Sequence, residues 1–331
     1  MTHTIAIVGE AWGADEEAAK RPFVGASGRL LNGLLSQVGI VREHCLVTNV
    51  FNLRPHRNDV KTLCGPKAEG IPGMGPLASG KYVNARYAPE VQRLYAELEE
   101  ARPNVIIALG ASAAWATLGS SGIRKIRGAA APSRFGKVLP TYHPAAVLRE
   151  WTLRPILLAD LEKARRESEY PEVRRPERAI WVEPTLADLA QFGAEHIAPN
   201  PFLSVDIETK GDQITCIGFA PTPHVALVVP FYDPTKPGSS YWPEHLEPHV
   251  WAYVRKWLSM GKRLVFQNGV YDIRFLWHYG IQVPDAAEDT MLLHHALQPE
   301  MEKGLGFLGS VYTNEASWKF MRKNETVKRE D

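Results

Sequence analysis

Four side chains in the first half of the sequence, Glu10, Phe23, Asn49 and His143, fall at or just past the ends of apolar runs. The runs are TIAIVGEA, HCLVTNVFNLRP and KVLPTYHP, with NVIIALG between the last two. In an open α/β sheet, ligands bind outside the carboxyl ends of the strands. An aromatic face, an amide, an imidazole and a carboxylate gathered there suit a pyrimidine taken out of its stack. The ring would stack on the aromatic, and the amide would read its Watson–Crick edge. Breaking an N-glycosidic bond puts negative charge on the base and positive charge on the sugar. A histidine donor can meet the first, and a carboxylate can meet the second or orient water. Singly the same residues read otherwise: Phe23 as a core aromatic, Glu16 as a solvated helix charge, His143 before Pro144 as a helix cap.

A second group lies beyond residue 200. Asp206 and Glu208 in FLSVDIE are two apart on a strand and so project from one face. Paired carboxylates repel unless a cation joins them, and oxygen donors favour Mg2+ or Mn2+. Asp272, in QNGVYDIRFL, could complete a set for two-metal phosphodiester hydrolysis. A D-x-E on a strand also reads as a surface salt-bridge pair.

The elements that must position these residues alternate strand and helix up to about residue 168, which implies an α/β domain with a mostly parallel sheet covered on both faces. The charged, proline-rich EYPEVRRPERAIWVEPT marks a boundary. The expected organisation is a three-layer αβα domain over 1–170, a linker over 171–180 and a second α/β domain over 181–331. Three successive strands open that second domain, so its sheet begins antiparallel. Between Cys64 and Tyr82 lies a Gly/Pro-rich segment containing Gly75-x4-Gly80-Lys81. No strand precedes it and Tyr82 stands where a phosphate loop needs Ser or Thr, so it reads as coil. The tail WKFMRKNETVKRED is polar and charged. A net charge of +1, 45% apolar residues and three scattered cysteines describe an ordinary globular chain without a disulfide framework. With no apolar run long enough for a membrane span and no signal peptide, the expected location is the cytoplasm, of the host if the chain is phage-encoded.

GEAWG…EE…RPFVG…GRLL, TNVFNLRPHRN, VIIALG and TYHPAAVLR resemble the successive motifs of family 4 and related uracil-DNA glycosylases. That resemblance implies excision of uracil from single- or double-stranded DNA. It places Glu10 and Glu16 near the sugar and the attacking water, Phe23 under the base, Asn49 at its edge and His143 facing the leaving group. It also implies contacts of Arg127, Gly128 and Arg149 with DNA. The family's iron–sulfur cluster needs four cysteines; this domain has Cys45 and Cys64 and no CxxC, so no cluster is expected. Trp12 stands where the family commonly has Pro.

Downstream, VDIET…GFA…NGVYDIRFL…EDTMLLHHAL…LGFL resembles the 3′–5′ proofreading exonuclease domain of family A DNA polymerases, particularly phage ones, with an RNase H-like (DnaQ-like) fold. It implies Asp206, Glu208 and Asp272 as metal ligands and Asp289 as a helix cap. That family's third motif, Tyr or His followed four residues later by Asp, is missing; Tyr312 is followed by Ala316. The expectation is a domain incomplete at its C-terminus. The alternative to a glycosylase is a non-catalytic DNA-binding module, or the front part of a split phage polymerase with a polymerase chain as partner.

Overall fold

The computed structural model describes residues 4–315 apart from 237 and 285–286, so Ala316 and the polar tail lie outside the described residues. Contacts divide the chain into two units, one of residues 1–175 together with the stretch from Gly306, the other of Pro176–Leu305.

The first unit runs β1 (Ile5–Ala11), α1 (Ala14–Ala19), α2 (Ala26–Gln37), β2 (Leu46–Phe51), β3 (Cys64–Gly65), β4 (Tyr82–Val83), α3 (Ala88–Ala101), β5 (Val105–Leu109), α4 (Gly110–Leu118), α5 (Ile123–Ile126), β6 (Ala131–Ser133), β7 (Gly136–Thr141), α6 (Pro144–Arg149) and α7 (Arg154–Glu167). Its main sheet has the order β2-β1-β5-β7-β6, parallel except for the antiparallel edge strand β6. Alternation along β1 builds the three layers. Ile5 and Ile7 enter one apolar cluster with Leu31, Leu34 and Leu35 of α2 and Leu157 and Leu161 of α7. Ala6 and Val8 enter the other with Val91, Leu94 and Leu98 of α3 and Trp115 of α4. The strands are buried on both faces, which is why they read as continuous apolar runs.

The Gly/Pro-rich segment expected to be coil is anchored. β3 pairs antiparallel with β4, Leu63, Leu77 and Val83 are buried, and the Trp115 indole donates to the Gly75 carbonyl at 2.8 Å. Its few apolar residues are spaced too irregularly to show a period, yet each fills a place in the α3/α4 layer.

The second unit runs β8 (Ala179–Trp181), α8 (Leu186–Phe192), β9 (Phe202–Lys210), β10 (Gln213–Thr222), β11 (Val225–Pro230), α9 (Glu247–Leu258), β12 (Arg263–Phe266), α10 (Val270–His278), β13 (Glu288–Asp289) and α11 (Thr290–Leu297). Its sheet order is β13-β12-β9-β10-β11-β8. β9, β10 and β11 form an antiparallel meander, while β12 lies parallel to β9 and β13 parallel to β12. This is a mixed α/β unit with its own core, centred on Phe192, Phe219, Trp257 and Phe266.

The last described helix, α12 (Leu305–Tyr312), belongs from Gly306 on to the first unit, although the sequence places that stretch with the second domain. Two buried cations account for this. Lys163 Nζ donates to the carbonyls of Gly128 at 2.6 Å, Thr313 at 2.7 Å and Ser310. The Arg127 guanidinium grips Asp160 through Nε at 3.1 Å and Nη2 at 2.6 Å, and its Nη1 donates to Ser310 Oγ. Thr141 Oγ1 donates to the same carboxylate. Replacing Arg127 by Ala strands a buried carboxylate, so Arg127→Ala is expected to lower unfolding free energy by about 3–5 kcal/mol in urea denaturation.

Candidate active site

The carboxyl ends of β1, β2 and β7 and the start of α4 open into a cavity of about 470 Å³, lined by Glu10, Trp12, Glu16, Phe23, Asn49, His143 and Arg149 among others. The structure thus brings together six of the residues singled out in the first half of the sequence, with Trp12 beside them.

Phe23 and Asn49 meet over Gly9. A Cβ there would lie 2.1 Å from Asn49 Oδ1 and 2.5 Å from Phe23 Cζ, so the ring and the amide both occupy space that a side chain on β1 would take. Asn49 is 2% exposed overall and lines the cavity, and its backbone carbonyl accepts from Arg93 Nη2 at 2.8 Å. The Phe23 and His143 rings stack with centroids 5.7 Å apart and planes 27° from parallel.

His143 is the N-cap of α6. Its Nδ1 accepts from the Ala145 amide at 3.1 Å, which leaves Nε2 as the protonated nitrogen of the neutral ring. Burial, with help from Arg149, pulls the imidazole down to about 4, against a smaller opposing pull from Glu16. The cap reading and the functional reading of His143 therefore hold at once, on different nitrogens.

Glu10 accepts from Ser112 Oγ at 2.6 Å, and burial raises its carboxyl above the ordinary value. Ser112, in the first turn of α4, was not singled out in the sequence; its only signal is its place just after the apolar run NVIIALG. Glu16 is 8% exposed and fully engaged: one oxygen accepts from the Val24 and Gly25 amides, at 3.1 and 2.8 Å, and the other from Gly13 at 3.1 Å. It orders the loop that carries Phe23. Trp12 adds a buried indole N–H with no partner among the described residues.

Arg127 requires a correction. It is 4% exposed and locked to Asp160, so it has no route to a DNA backbone; the Gly128 carbonyl is likewise occupied by Lys163. Burial in a chain-spanning ion pair leaves no mark in the local sequence. Arg149 does line the cavity and is exposed.

In the second unit, Asp206 is exposed and Glu208 half-buried on β9. Asp272, 5% exposed, accepts from the Ile207 amide at 2.9 Å; burial, with Asp206 nearby, raises its carboxyl to about 6. Among the described residues no three His, Cys, Asp or Glu side chains converge closely enough to hold a metal ion, so the three expected ligands are not drawn together. Asp289 caps α11 through the Met291 amide and also accepts from Asn268 and Gly269.

A roomy cavity at the strand ends of a parallel α/β sheet, with an amide set beside an aromatic ring, defines the site of a nucleobase-binding protein. Residues 2–166 match the Uracil DNA glycosylase superfamily. The chain is 37% identical over 166 residues to the type-4 uracil-DNA glycosylase of Thermotoga maritima, covering 49% of this chain and 76% of that one. It is 35% identical over 168 residues to the type-4 enzyme of Archaeoglobus fulgidus, covering 48% and 74%. The chain belongs to the uracil-DNA glycosylase superfamily. Among solved structures it is similar to the EXD2 exonuclease domain soaked in Mg and dGMP, at 16% identity and a TM-score of 0.28, over 46% of this chain and 78% of that one. A score of that size carries no fold assignment; the α/β character of the second unit rests on its own strand order.

Type-4 enzymes carry an iron–sulfur cluster, and the thiols here do not fit one. A cluster takes four cysteine thiolates. The chain has three cysteines, and Cys216 lies in the second unit. Cys45 Sγ is turned to the Val41 carbonyl and Cys64 Sγ to that of Val60, and burial pushes the Cys45 thiol up to about 11.

Gly9→Ala forces Asn49 and Phe23 apart. It is expected to weaken binding of a uracil-containing oligonucleotide by roughly 5- to 150-fold, the equivalent of about 1–3 kcal/mol of overpacking, with far-UV circular dichroism unchanged.

Proposed function

We propose that the first unit excises uracil from DNA by hydrolysis of the N-glycosidic bond. The observation that carries this is the Asn49 carboxamide and the Phe23 ring meeting over the bare Gly9 in the wall of the cavity. An amide offers one acceptor and two donors, which complement the N3–H and O4 of uracil. The base stacks on Phe23. The His143 Nε2–H donates to O2 as the N1–C1′ pair moves onto the base, and a neutral donor serves here without protonation. Glu10, ionised, steadies the positive charge at C1′ and takes a proton from the water that adds there. The leaving uracil anion then takes a proton and Glu10 gives its own back to solvent, so that free uracil and an abasic sugar result. Arg149 at the cavity edge supplies charge for a neighbouring phosphate.

Asn49→Ala or His143→Ala is expected to reduce release of free uracil from a uracil oligonucleotide by at least about 100-fold. Uracil DNA that stays bound and uncleaved by the unmutated protein would overturn the reading. The pH dependence follows from the two shifts. As pH falls, Glu10 takes its proton above its ordinary value of 4.5 and the rate drops. Glu10→Gln removes that limb, and its residual rate stays level until His143 protonates at about pH 4. A limb near 6.5 in Glu10→Gln would count against a neutral histidine.

For the second unit we propose an exonuclease-type framework in which Asp206 and Glu208 take Mg2+ or Mn2+. Their positions two apart on β9, on the same face of the strand, favour this. With one Asp272 oxygen given to the Ile207 amide, metal binding without rapid 3′-end digestion is expected. Manganese titration of the protein and of Asp206→Ala, read by electron paramagnetic resonance with end-labelled DNA scored in parallel, checks it. Equal binding by both proteins would refute it.

A further inference from the structure

Phe23 is a non-glycine residue with φ +54°, and it carries the ring that stacks on His143. A side chain in the left-handed region costs on the order of 1–3 kcal/mol and persists only where the surroundings enforce it. Two charged side chains enforce it here from opposite sides. Glu16 takes the amides of Val24 and Gly25, immediately after Phe23. Arg42 reaches back across twenty residues and donates to the two preceding carbonyls, from Nη2 to Pro22 at 2.7 Å and from Nη1 to Phe23 at 3.0 Å. Nη1 is held in turn by Asn32 of α2, at 2.5 Å. The turn is gripped with its N–H ends on an anion and its C=O ends on a cation, each in the sense its peptide dipoles favour. Gly28 closes a further side: a Cβ there would lie 2.0 Å from the Phe23 carbonyl oxygen, so α2 packs directly on this backbone.

We propose that Arg42 is a positioning residue for base recognition, acting through Phe23 without touching substrate. This deepens the base-pocket reading and rests on it. Because Phe23 stacks on the base before and during bond cleavage alike, its placement is uniform binding energy, which appears in KM and leaves kcat largely unchanged. Arg42→Met removes both donors and keeps an apolar stem. Arg42→Lys keeps the charge but not the planar fork that spans two carbonyls.

The test is a double-mutant cycle on the full chain. It uses a single-stranded oligonucleotide with one 2′-fluoro-2′-deoxyuridine, which binds but resists cleavage, and a cleavable uracil oligonucleotide in parallel. Arg42→Met is expected to weaken binding and raise KM by about 10- to 100-fold, the loss of charge-assisted hydrogen bonds, with kcat within about twofold. Arg42→Lys recovers part of the loss. In a Phe23→Ala background Arg42→Met has no further effect, because the residue it positions is gone. Hydrogen exchange at the Val24 and Gly25 amides, read without any DNA, rises in Arg42→Met. The same factor in both backgrounds, a fall in kcat at constant KM, or unchanged exchange at those amides would each overturn the proposal. An unmutated protein that binds the fluorinated oligonucleotide, obeys the cycle and yet frees no uracil would sink the glycosylase reading and leave this one standing.

Discussion

An aromatic ring can lie at the meeting point of the strand ends only because the chain reverses at Phe23 through a conformation that side chains avoid. The cavity is organised around that constraint. Glu16 gives up its solvent and its charge to the amides after the turn, α1 places Glu16 to do so, and Gly9 stays bare so that ring and amide can occupy the same space above β1. The parallel sheet supplies the platform. The turn supplies the side that a planar ligand would lie against.

Desolvation then acts on the chemistry with one sign for each group. It raises Glu10 and lowers His143, pushing both toward the neutral form. For the histidine this is an advantage: with Nδ1 spent on a backbone amide, the neutral ring has a single tautomer and a single donor, so no proton need be gained before it can act. For Glu10 burial opposes ionisation, and the Ser112 hydroxyl partly offsets it. Asp272 in the second unit shows the same opposition, with a backbone amide in place of the serine.

How much of this was legible in the sequence depended on how local the cause was. The strands of the first sheet announced themselves because both faces are buried, and the residues just past them were read as one site for the same reason. Glu10, Phe23, Asn49 and His143 do converge. The partners that fix them did not show. Arg42 and Arg127 make their defining bonds to residues 20 and 33 positions away, and no spacing rule reaches that far. Glu16 was read for its charge, whereas its three bonds are to backbone groups that any sequence would provide. The Gly/Pro segment looked structureless because glycine and proline dominate its composition. Its order comes from Leu63, Leu77 and Val83, isolated residues without a period.

The clamp of Lys163 and Arg127 on α12 also bears on how the chain is made. Both cations lie in α7 or beside it, and both need Ser310 or its neighbours to be satisfied. In a nascent chain their partners at Ser310 and Thr313 are not made until residues 176–305 have been synthesised. At ordinary synthesis rates that wait is on the order of ten to thirty seconds. The unit of residues 1–175 emerges before residues 176–305, yet in this respect it is finished after them.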